Sequence, residues 1–226
     1  MTIWSRILAA IGALRTGEGL SAVFDHLLSE PERRVGFAIA VIALGAKMAK
    51  ADGQVTRDEV TAFREVFSIP PEEEKNAARV FNLARNDVAG YDGYARQIAR
   101  MFGQGDPALE DVLDGLFHIA FADGEYHPRE AEFLRDVAEI FGIGETCFRS
   151  LLARYSPDHK DPYAVLSVER SDSTEIIRKR WRALVRETHP DRAIARGMPE
   201  EAIKIATDRL AEVNDAYQAI MTERAA

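Results

Sequence analysis

An all-α fold is what this sequence predicts, on three observations. Apolar residues recur at intervals of three and four along nearly the whole chain, the period of a helix, and no convincing alternating stretch reads as a strand. In two places a helical pattern stops at Asp-Gly, where glycine can take the left-handed cap conformation, and a new helical pattern follows. The 226 residues carry one cysteine, Cys147, so a core must be built from packed helices with neither an intrachain disulfide nor a Cys-based zinc site.

The elements follow in order. The first twenty residues, "MTIWSRILAAIGALRTGEGL", read as an amphipathic helical segment. Only eight uncharged residues separate Arg6 from Arg15, too few to span a bilayer. Trp4 beside Arg6 suits a membrane interface; the other reading is a helix packed on its own domain. Helices are expected at Glu32 to Lys50, Thr56 to Phe67, Pro71 to Asn86, Tyr91 to Phe102, Leu109 to Phe121, Pro128 to Phe141 and Glu145 to Ala153. Within the first of these, Val35 to Ala46 is an uncharged run of twelve residues that reads as buried core. "RYSPDHKDP" (154–162) is polar, holds two prolines and breaks the periodicity, which marks a boundary. The expected organisation is an N-terminal segment over 1–30, a degenerate membrane anchor in its alternative reading, a helical domain over 31–153, a linker over 154–160 and a second domain over 161–226.

The first domain repeats itself. "KADGQVTRDEVTAF" (50–63) is echoed by "FADGEYHPREAEFL" (121–134), which points to a pseudo-symmetric helical bundle. Asp52-Gly53…Glu59 and Asp123-Gly124…Glu130 match the latter half of a calcium-binding EF-hand loop. The earlier ligand positions hold Met48 and Lys50, or Ile119 and Phe121, so a normal EF-hand is excluded. Two readings stay open. One is a divalent cation shared by Asp52, Glu59, Asp123 and Glu130; the favoured one is helix capping, with Thr56-x-x-Glu59 as a capping box and Glu130 in the first turn after Pro128. No other cofactor is expected. His118 reads as a core or groove histidine, and His127 as the cap before Pro128.

A net charge of −8 argues against nucleic acid as a partner of the whole molecule. A local exception runs from Arg178 to Arg192, with six basic and two acidic residues. It belongs to the second domain. There "DPYAVLSV" (161–168) forms a short amphipathic helix. "SDSTEIIRKRWRALVRET" forms a long one, capped by Ser173 or Asp172, with Ile177, Trp181, Leu184 and Val185 facing inward. Arg178, Arg182 and Arg186 recur every four residues as a line of guanidinium groups. That helix stops near His189, before Pro190. Pro199 to Glu223 then runs back with Ile203, Ala206, Leu210, Val213, Tyr217 and Ile220 as its facing stripe. His189, Pro190 and Asp191 form the tip between two antiparallel helices. A catalytic reading of His189 and Asp191 is disfavoured, because groups two apart across a rigid proline should point apart and no nucleophile accompanies them. The expectation is no enzyme.

Tyr163-x-x-Leu166-x-Val168, a basic helix, His189-Pro190-Asp191 and Asn214-x-x-Tyr217, in that order, resemble the J domains of DnaJ-like co-chaperones over about residues 161–226. "FHIAFADGEYHPREAEFLRDVAEIFGIGETCFRSLL" (117–152) resembles the TerB-type helical domain of tellurite-resistance proteins. A TerB-like domain followed by a J domain is the layout of the DjlA-type co-chaperones, whose N-terminal membrane segment is here interrupted by Arg6, Arg15, Glu18 and Asp25. The resemblance implies a DnaK-type chaperone as partner, contacted through Arg178, Arg182, Arg186, His189, Pro190 and Asp191, and stimulated in its ATP hydrolysis. The TerB-like domain would then be a targeting module for a client protein, an envelope component, a metal or a second copy of itself. A non-stimulating adaptor or a stress-response metal scaffold is the alternative. The expected place is the cytoplasm, or the cytoplasmic face of the inner membrane with peripheral attachment.

Overall fold

The computed structural model describes residues 3–12, 30–52, 74–86, 90–122, 127–155, 161–195 and 200–225. Every regular element among them is a helix, as the apolar period requires: α1 (Ile3–Gly12), α2 (Glu30–Asp52), α3 (Glu74–Asn86), α4 (Tyr91–Phe102), α5 (Pro107–Ala120), α6 (Pro128–Phe141), α7 (Glu145–Tyr155), α8 (Pro162–Leu166), α9 (Thr174–Glu187), α10 (Pro190–Ala195) and α11 (Glu200–Ala225). The expected helix over Thr56–Phe67 lies outside the described residues.

The first core is arranged around α2. From Ile39 to Leu44 every side chain has no exposed surface, the signature of a helix enclosed on all sides. Helices α1, α3, α4, α5 and α6 all pack against it. Ile7 of α1 is fully buried in the same cluster, with Ala10 and Ile11 packed on it, so the N-terminal helix lies on its own domain. The side chain of Trp4 is outside the described residues. Among the described residues no helix is long and apolar enough to cross a membrane.

Local chemistry sets the helix ends. Asp106 accepts from the Ala108 N–H at 2.9 Å ahead of Pro107 in the first turn of α5. At α6, His127 is the N-cap, and its backbone N–H donates to the Glu130 carboxylate at 3.2 Å. Gly142 ends α6 at φ 72°, where a Cβ would be strained.

The linker expectation needs correction. Helix α7 continues through Arg154 and Tyr155, and Arg154 is 4% exposed. Polar residues beside a proline-rich stretch resemble a linker, yet Arg154 and Tyr155 both find Asp114 inside the protein.

In the second domain Tyr163, Val165 and Leu166 of α8 pack with Ile177 and Leu184 of α9 and with Val213, Ala216 and Ile220 of α11. Trp181 and Val185 are half-buried at the edge of this cluster. Where the sequence predicts a loop tip, a six-residue helix, α10, starts at Pro190, a residue suited to a first helical turn.

Candidate functional site

The strongest candidate is the end of α9 and the turn after it. Ser173 caps α9, its hydroxyl accepting from the Ile176 N–H at 3.3 Å. Burial of Ile177 and Leu184 on one side turns Arg178, Arg182 and Arg186 to solvent on the other, where all three are exposed. Spaced by four, they lie one turn apart on one face. Arg178 reaches across to Tyr217, donating from Nε to the phenol oxygen at 3.4 Å, and that contact raises its pKa.

The helix closes at Thr188. Its N–H and its hydroxyl both donate to the Leu184 carbonyl, at 2.8 and 2.9 Å, and the residue is buried. His189 follows, and its carbonyl accepts from the Arg192 N–H at 2.9 Å as α10 begins. Arg192 also donates from Nη1 to the Arg186 carbonyl at 3.3 Å, placing a cation at the C-terminal end of α9. Pro190 fixes the intervening backbone.

His189 and Asp191 do not point apart, and this corrects the sequence reading. The Asp191 N–H donates to His189 Nδ1 at 3.2 Å, and the Asp191 carboxylate lies 3.5 Å from the same nitrogen. The helical turn that starts at Pro190 folds Asp191 back over the ring. The side chains remain open, His189 at 45% and Asp191 at 81% exposed, so a preordered imidazole and carboxylate face outward.

The hairpin behind the turn is pinned twice. Trp181 stacks on Tyr217, with ring centroids 4.3 Å apart and planes at 13°, and its indole N–H donates to Asn214 Oδ1 at 2.9 Å. At the far end Arg224 covers the buried Tyr163 ring and donates to the Asp172 and Arg170 carbonyls at 2.8 and 2.9 Å.

A second set of residues, which sequence reasoning missed, joins this hairpin to the first domain. Arg154 donates from Nη2 to both oxygens of Asp114, at 2.8 and 3.0 Å, and from Nε to Glu212 of α11. The Tyr155 hydroxyl donates to Asp114 at 2.8 Å. Arg209 of α11 donates to Glu110 of α5 at 3.0 Å and lies 4.0 Å from Asp111. Burial works against the Arg154 charge, but Asp114, with Tyr155 and Glu212, outweighs it and drives its pKa up. Tyr155 is pushed well above its ordinary value by burial and then by Asp114. The Cys147 thiol is pushed up to about 11 by burial and the Glu110 carboxylate. The available signal was Asp111 and Asp114 inside the apolar run of α5, since buried carboxylates need cationic partners.

Of the metal candidates, Glu59 and Asp123 lie outside the described residues, as does the side chain of Asp52, the last residue of α2. Glu130 is buried and caps α6. Among the described residues no group of three or more His, Cys, Asp or Glu is placed to hold a metal. His118 is half-buried, edge-on to the Tyr155 ring at 6.3 Å.

Comparison with known proteins divides the chain in the same order. The family model for tellurite resistance protein TerB matches residues 38–153, and that for the DnaJ domain matches residues 161–225. Co-chaperone protein DjlA of Salmonella paratyphi A is 24% identical over 268 residues, covering 99% of each chain. Its counterpart in Escherichia coli K12 is 23% identical with the same coverage. That of Photobacterium profundum is 25% identical over 92% of this chain and 85% of its own. No solved structure matches.

Proposed function

Because the chain belongs to the TerB family and carries a DnaJ domain behind it, we propose that it is a co-chaperone that stimulates ATP hydrolysis by a DnaK-type chaperone. The observation that carries this reading is the ordered, outward-facing His189-Pro190-Asp191 turn at the end of the exposed Arg178, Arg182 and Arg186 face. The three guanidinium groups steer an acidic partner surface and set its register. Pro190 and the hydrogen bonds around it remove ordering cost at the tip. Asp191 accepts a charge-assisted hydrogen bond from a basic group of the partner. The sequence holds no glycine-rich phosphate loop, so the nucleotide belongs to the partner and this chain contributes only the trigger.

The TerB-like domain serves in this reading as the targeting module, for a client or an envelope protein, and the chain works in the cytoplasm. The deciding experiment is steady-state ATP hydrolysis by the cognate DnaK-type chaperone with wild-type protein and with His189→Gln, both checked for fold by circular dichroism. Stimulation by the wild type and none by the folded variant is the expected result. Equal rates with and without the wild type would refute it.

A further inference from the structure

The contact between the two domains does more than tether them. Ala193 of α10 and Ile205 of α11, both on the DnaJ side, belong to the core of the first domain at 1% and 7% exposure, and Ala153 of α7 belongs to the core of the second. Gly115 of α5 permits the close approach, because a Cβ there would stand 3.3 Å from Ile205 Cδ1. Around this apolar patch sit two cation bridges, Arg154 to Asp114 and Glu212, and Arg209 to Glu110 and Asp111. The Ser150 hydroxyl donates to the Val165 carbonyl at 2.7 Å as a further tie. Beside the patch, Thr188, His189 and Arg192 share a cavity of about 110 Å³ with Pro107, Glu110 and Arg209. The wall opposite the functional turn is therefore α5 of the first domain.

We propose that Arg154 and Arg209 are positioning residues for the co-chaperone action: they lock the two domains into one body and present the His-Pro-Asp turn at a fixed angle beside α5. This rests on the function proposed above. The physical argument is preorganisation. A turn on a free tether must lose orientational freedom on every encounter with a chaperone, whereas one held by a buried and a half-buried cation and an interdigitated core has lost it during folding. The lock also fixes the separation between whatever the TerB-like domain holds and the chaperone docked at α9. Because Arg178, Arg182 and Arg186 are exposed and none of them lines the cavity shared with α5, the lock leaves that face open.

The test uses the full chain. Backbone 15N relaxation is measured for residues of α4 and α9, and a single rotational correlation time is expected in the wild type. Arg209→Gln combined with Glu212→Gln removes the bridging charges of the second domain and keeps the Arg154–Asp114 pair intact. In this variant α9 should tumble faster than α4. The concentration for half-maximal stimulation of a DnaK-type chaperone should rise about fivefold, the scale of one lost preorganisation, with the maximal stimulated rate unchanged. Arg209→Glu combined with Glu110→Arg and Asp111→Asn restores the bridge with reversed polarity while removing the carboxylate that would face the introduced one, and should bring both readouts back towards the wild type. Two correlation times in the wild type would overturn the lock. So would a charge-removed variant whose domains stay together. Separated domains with an unchanged half-maximal concentration would overturn the positioning role. A wild type that tumbles as one body and gives no stimulation would overturn that role through the function it serves, while leaving the lock itself in place.

Discussion

Replacing Asp114 by asparagine tests the energetics of the buried pair, within the first domain, that holds Arg154 in place for Glu212. Asp114 has no exposed surface and accepts three hydrogen bonds, two from Arg154 and one from Tyr155. Asparagine keeps the shape, removes the charge and turns an N–H₂ group towards the guanidinium or the phenol. Breaking a buried pair from one side costs about 3–5 kcal/mol, because the remaining charge is left uncompensated. Here Glu212, whose side chain is 36% exposed, still faces Arg154, so the lower end applies, about 3 kcal/mol. For a chain of this size that corresponds to a fall in Tm of about 6–12 °C. Urea unfolding of the full chain followed by circular dichroism gives the free energy, and calorimetry gives the temperature. Asp114→Leu with Arg154→Met replaces the pair by apolar groups and should recover most of the loss. A cost for Asp114→Asn below about 1 kcal/mol, the scale of an exposed pair, would refute the reading of this pair as buried and energetically central to the first domain.

Other consequences follow from the same region. Tyr155 has its pKa raised in the folded protein, so its contribution to stability is complete below pH 10 and is lost as pH rises from there towards the folded value. Between pH 9 and pH 11 the wild type should lose stability through this group, and Tyr155→Phe should lack that loss in urea titrations at the two pH values. Cys147, pushed up to about 11 from an ordinary 9.0, should react with iodoacetamide at pH 8 about 100-fold more slowly than an unshifted thiol, and regain the normal rate in urea. Labelling at the free-thiol rate in the native protein would contradict its burial. Gly115→Leu should force α11 away from α5 and make the second domain tumble separately, whereas Gly115→Ala needs only a small shift of the Ile205 side-chain tip. If both variants keep one correlation time, the close approach at Gly115 is unimportant.

The parts of this molecule visible in its sequence are those whose cause is local. The enclosed run of α2, the cap at Asp106 and the face carrying Arg178, Arg182 and Arg186 each depend on residues within one or two turns, and the helical fold class follows from that period alone. The turn at His189 between two helices is legible in the sequence, but the fold of Asp191 back towards the imidazole is not, because Pro190 reads as a stop when it also opens α10. The contact between domains was harder to see. Helix α11 has two working faces: Val213, Ala216 and Ile220 pack inside the hairpin, and Ile205 packs in the core of the first domain. A single helix pattern does not say which partner takes which face. Arg154 failed for the opposite reason, since charge beside Ser156 and Pro157 resembles a linker until its partners, 40 and 58 residues away, are known.

The enclosure of α2 has a consequence for the birth of the protein. Its buried run leaves the ribosome ahead of the helices that follow it, and α6, one of those that cover it, is complete only at Phe141, 89 residues beyond Asp52. At about 5–20 residues per second the nascent chain displays an uncovered apolar surface for roughly 5–20 s. During that interval the emerging polypeptide itself has the features of a chaperone substrate, an exposed apolar helix awaiting its cover.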